Sequence, residues 1–187
     1  MATTSIIVEL LIIGFFTVVW IVIWSVRLSI IDIELLRRLS SSIQSTAGLL
    51  FVTALSYQLG VVMNGISHKI MMRLGKSEYR DQIDPGVPYD VVNMKVRQCA
   101  SEDLVRILAL HLSVMRLTRA GIMNFALISV GMFSFGGRTA LAGFVPLFVA
   151  FMSAIGWRRA YRRYYSRMAH AYQEITGRPI NISLYSE

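Results

Sequence analysis

Glu9 is the one carboxylate within a long apolar run, residues 5–26 (SIIVELLIIGFFTVVWIVIWSV). An acid placed inside a bilayer is a candidate for transport or gating. It sits only about one helical turn from the start of the run, where interfacial water can still reach it. A second set of polar groups lies in the apolar stretch 47–66. Thr53, Ser56, Tyr57, Gly60 and Asn64, continued by His68, recur at steps of three or four residues. That spacing puts them on one face of a helix. Such a face is unfavourable against lipid, so it either packs on other helices or lines a wet, pore-like cavity. A third set interleaves Arg158, Arg159, Arg162 and Arg163 with Trp157, Tyr161, Tyr164 and Tyr165. Basic side chains beside a membrane bind anionic lipid at about 1 kcal/mol each, and aromatic rings anchor at headgroup level. Charge and stacking could also hold single-stranded nucleic acid. The bilayer already accounts for the same residues, so a nucleic-acid partner is not expected.

Arg106-Ile-Leu-Ala-Leu-His111 is the sharpest chemical pattern in the chain. On a helix, five residues separate the two side chains by about 140°. Leu104, Ile107, Leu108, His111, Leu112 and Met115 then form the apolar stripe, with Glu102, Asp103, Arg106, Ser113 and Arg116 on the polar side. Read structurally, His111 is partly buried and Arg106 is solvated or faces lipid. The Arg-x4-His spacing resembles the motif of the HEPN family of helical ribonucleases. That resemblance covers one motif in one helix. It implies a membrane-tethered nuclease or immune effector in which Arg106 and His111 act at a site assembled across a dimer.

Other chemistry has little to stand on. The chain has no Walker A loop, no Gly-x-Gly-x-x-Gly and no His-Glu-x-x-His. His68, His111 and His170 are far apart in sequence, which gives a bis-histidine haem no support. Cys99 is the single cysteine, so no intramolecular disulfide can form. Glu78, Asp81, Asp84 and Asp90 beside Arg80 read as a solvated loop face. Neither a cofactor nor a metal is expected, and catalysis is not indicated.

The elements that must carry these residues follow from composition. In 187 residues, 55% are hydrophobic and only 16% are charged, too apolar for an ordinary soluble domain. A bilayer crossing takes about 20 mostly apolar residues in a helix. The sequence predicts an all-α membrane domain with four spans, 5–26, 47–66, 120–136 and 139–157. Between spans two and three lies a connection, 67–119, and after span four a basic tail, 158–187. The first run has no Lys or Arg before Arg27 and is too long for the core of a signal peptide, which favours a retained span. Span three carries Asn124 and Gly131 one heptad apart. Span four carries Gly143, Ala150, Ser153 and Ala154 as a small face, with Pro146 placed to kink it.

The net charge of +8 is unevenly placed. The connection and the tail hold most of the Lys and Arg, and basic flanks stay cytoplasmic. Four spans put both termini and the connection inside. Span one alone, with Arg27 as its basic flank, prefers the reverse orientation and leaves a three-span alternative. Residues 28–46 fit either an amphipathic segment in the interface or a continuation of the first helix into water. DPGVP, 84–88, stops a helix, and Ser101 before Glu102 and Asp103 starts one that runs on into span three. The expected product is a non-enzymatic inner-membrane protein, homo-oligomeric and pore-like or anchoring a cytosolic partner. A structural accessory subunit of a larger complex is the further alternative.

Overall fold

The computed structural model describes residues 2–35, 37–38, 45–74 and 87–177. Glu78, Arg80, Asp81 and Asp84, most of DPGVP and the end of the tail lie outside the described residues. Among the described residues the delimited helices are, in order, α1 (Ala2–Arg27), α2 (Thr46–Leu74), α3 (Tyr89–Cys99), α4 (Glu102–Phe135), α5 (Gly137–Ala142) and α6 (Phe144–Thr176). Among the described residues there is no strand. Four helical stretches, Thr4–Arg27, Thr46–Met71, Glu102–Phe135 and Gly137–Thr176, are long and apolar enough to cross a membrane. The chain is an all-α membrane protein. Helices are the form that lets an apolar run satisfy its own backbone in hydrocarbon.

Local sequence sets the boundaries. Ser45 Oγ accepts the Gly48 N–H at 3.1 Å, and Ser101 Oγ accepts the Leu104 N–H at 3.3 Å, so a serine cap opens both α2 and α4. Glu102 and Asp103 occupy the first turn of α4, at the positive end of its dipole. The hairpin between α4 and α5 turns on Gly136 and Gly137, whose φ angles of 73° and 55° suit glycine. Pro146 departs from the expectation of a kink. It falls in the first turn of α6, where its missing N–H needs no partner, and the chain breaks at Gly143 instead. The first part of the tail, up to Thr176, is likewise a continuation of α6 and not a separate segment.

The chain divides into two compact units. The first comprises Met1–Lys69 and Arg116–Ala154. Within it α1 and α2 are antiparallel and meet backbone to backbone. A Cβ added at Gly14 would overlap the Ser56 carbonyl, and one added at Gly60 would overlap the Leu10 carbonyl. Small residues permit that approach in a membrane bundle. By contrast α1 and α4 are parallel. Glu9 meets Arg116, Thr17 meets Asn124, Trp24 lies against Gly131, and Arg27 meets Ser134. The α1 positions advance by eight, seven and three residues, which keeps them on one face of a helix with 3.6 residues per turn. On its other side α4 meets the start of α6, with Ser129 Oγ donating to the Gly143 carbonyl at 2.8 Å and Ser153 lying beside Gly121.

The second unit comprises Ile70–Met115 and Ile155–Glu187. Its core takes Val92 and Val96 from α3, Leu108 and Met115 from α4, and Tyr161, Tyr164, Tyr165, Met168 and Tyr172 from α6. Full burial of such side chains stabilises by roughly 1.5–3 kcal/mol each. The Tyr89 and Tyr164 hydroxyls hydrogen-bond at 2.8 Å, so the buried phenol keeps a partner.

Candidate functional site

Three polar groups lie inside the first unit, and each is built by residues from different helices. The first centres on Glu9, only 4% exposed. Its Oε1 accepts from Ser5 Oγ at 3.1 Å, and its Oε2 receives Arg116 Nη1 at 3.2 Å. Glu9 therefore belongs to a partly buried ion pair and does not stand as an isolated intramembrane acid. The pair cannot form from α1 alone. It needs the parallel α1–α4 register that brings Arg116 level with Glu9.

The second group centres on Arg119. Its Nη2 donates to Asn64 Oδ1 at 2.7 Å and its Nη1 to His68 Nδ1 at 2.8 Å. A guanidinium has no acceptor, so His68 must accept at Nδ1 and carry its ring proton on Nε2. Arg119 Nε is buried with no hydrogen-bond partner among the described residues. The third group centres on Asn124, 1% exposed. Its Oδ1 accepts from Thr17 Oγ1 at 3.2 Å and Trp20 Nε1 at 3.1 Å, while its Nδ2 donates to the Ile13 carbonyl at 2.9 Å. Both ends of the amide are thus satisfied in a setting where bare polar groups cost several kcal/mol.

The polar face predicted on α2 divides. Ser56 and Gly60 are buried at the crossing with α1, and Asn64 and His68 are held by Arg119. Tyr57 is half-buried. Thr53 is exposed, its hydroxyl returned to the Leu49 carbonyl of its own helix at 2.8 Å. Arg106 is exposed, whereas His111 is half-buried with Nδ1 at 2.8 Å from the Ile107 carbonyl. The two side chains have different surroundings.

Along the tail, Arg158, Arg159 and Arg163 are exposed and Arg162 is half-buried. The aromatics differ from the expectation of headgroup anchors. Tyr161, Tyr164 and Tyr165 point into the core of the second unit, and Trp157 packs against it. Their spacing fits a helix face as well as it fits an interfacial belt, and the neighbouring α3 and α4 supply the apolar partner. Sequence reasoning missed Gly14, Thr17 and Trp20 altogether. A small residue and a hydroxyl within an otherwise bulky apolar run were the available signal. Among the described residues, no cluster of His, Cys, Asp and Glu could hold a metal ion. Set against known protein families, curated proteins and solved structures, the chain matches none at a significant level.

Proposed function

We propose that the chain is a non-enzymatic membrane anchor that holds a helical platform for a cytosolic partner, in a bacterial inner membrane. The observation that carries this reading is the fate of the polar side chains in the spans. Glu9, Asn64, Arg116, Arg119 and Asn124 engage one another and the backbone. Groups used in this way hold a bundle together and do not line a permeation path. Ser56 and Gly60, the part of the α2 face best suited to close self-association, are covered by α1 of the same chain. The second unit supplies the platform: a buried, tyrosine-rich core with Lys95, Arg97, Arg106, Arg159, Arg163 and Arg167 on its surface. Basic residues so concentrated favour the cytoplasmic side.

Proteoliposomes loaded with ions or dye test the reading. The anchor gives no flux above that of empty vesicles, and no RNA cleavage that His111→Ala removes. Sustained flux abolished by Asn64→Leu would instead establish a pore. Photocrosslinkers at Arg163 and His170 in living cells should yield a discrete adduct with a cytosolic protein. Adducts with lipid alone would remove the platform from the proposal.

A further inference from the structure

The segment that follows α1 carries an apolar surface apart from the three polar groups of the first unit. The helix ends at Arg27, whose Nε donates to the Ser134 carbonyl at 3.1 Å and whose guanidinium lies 6.0 Å from the Phe135 ring centroid. The ends of α1 and α4 are therefore level. Beyond Arg27 the chain does not continue into water as a helix. The Ile30 N–H returns to the Ser25 carbonyl at 2.9 Å, and Ser29 takes a left-handed φ of 57°. The residues that follow are apolar and uncovered: Leu28, Ile30, Ile33 and Leu35 are between 48% and 71% exposed. At the same end of the unit Leu141 of α5 is exposed as well.

We infer that residues 28–35 lie in the plane of the bilayer, with Leu28, Ile30, Ile33 and Leu35 inserted at the headgroup–acyl boundary of the leaflet at this end. Three observations select lipid as the occupant. The segment follows directly from a helix apolar enough to span the membrane, so it leaves the bundle at the boundary. It is too short to cross, since about 20 helical residues are needed. Its own charges are the carboxylates of Asp32 and Glu34, with Glu34 lying 4.0 Å from Arg37 and 3.8 Å from Arg38, so it offers anionic headgroups no free excess of positive charge. Insertion is then driven by apolar area and not by attraction to anionic headgroups.

The full chain with Cys99→Ser and Ile33→Cys, labelled with the environment-sensitive fluorophore NBD, tests this in phosphatidylcholine vesicles. The expected result is a blue-shifted, several-fold brighter emission that doxyl-labelled lipid quenches, unchanged by added salt or by anionic lipid. Water-like emission overturns the inference. So does a shift seen only with anionic lipid, or one that doxyl lipid cannot quench and that disappears at one chain per vesicle, because a second copy then covers the segment. Hydroxyl-radical footprinting of the unsubstituted chain in nanodiscs gives an independent reading. Ile30, Ile33 and Leu35 should be protected, and oxidation at the rate of freely exposed side chains overturns the proposal even if the labelled variant fails to fold.

Discussion

At the scale of single residues, most of the buried polar side chains of the first unit are paired across helices, Arg119 Nε being an exception. Glu9 and Arg116 were each legible in the sequence, one as an intramembrane acid and the other as one positive charge among many. Their pairing was not, because 107 positions separate them and only the packing of α1 on α4 joins them. Removing one partner leaves a charge uncompensated. Arg116→Leu should therefore destabilise the protein by about 3 kcal/mol, and Glu9→Gln combined with Arg116→Gln by less than the sum of the two single changes. Steric-trapping or thermal unfolding in bicelles measures both. Asn124 holds its three partners within a buried setting, yet hydrogen bonds between membrane helices are individually weak, averaging about 0.6 kcal/mol. Asn124→Leu should accordingly cost about 1–2 kcal/mol by the same measurement and leave the helical content unchanged. A loss above about 4 kcal/mol would mean that the amide does more than tie α1 to α4.

Among the elements, the α1–α2 crossing depends on two glycines. Gly60 was visible as one member of a small, polar face, whereas Gly14 had no flanking pattern to mark it. What makes them partners is the antiparallel crossing itself, in which each glycine leaves room for the other helix's backbone. Gly14→Ala should drive the helices apart and destabilise by about 2 kcal/mol or more. Gly65→Ala is the control, because a Cβ there meets nothing within 4 Å and alanine favours the helix. Equal melting temperatures for the two variants would refute the close approach. In the second unit, α6 turns its tyrosines and Met168 inward against α3. Met168→Ala should cost about 2–5 kcal/mol, read as faster amide exchange across Tyr89–Cys99. The tail's composition left this open, because aromatics at helical spacing serve a core and a membrane surface equally well.

For the molecule as a whole, helix direction within the first unit bears on topology. Since α1 and α4 are parallel and α2 opposes α1, the start of α1 and the part of α4 around Arg116 lie at one end of the first unit. In sealed vesicles a membrane-impermeant thiol reagent should reach Thr4→Cys and Cys99 from the same side and Arg138→Cys from the other. Labelling of Thr4→Cys and Arg138→Cys from one side would favour the three-span alternative and refute the parallel register. By itself the sequence determined the all-α class, the stretches long enough to cross a bilayer and the serine cap of α4. These depend on runs, periods and neighbours a few residues apart. Tertiary structure alone decided that Glu9 has a counter-ion, that the small face of α2 meets Gly14, and that Tyr161 and Tyr164 are core. Each of these depends on which helix lies alongside, and that contact brings together residues far apart in the chain.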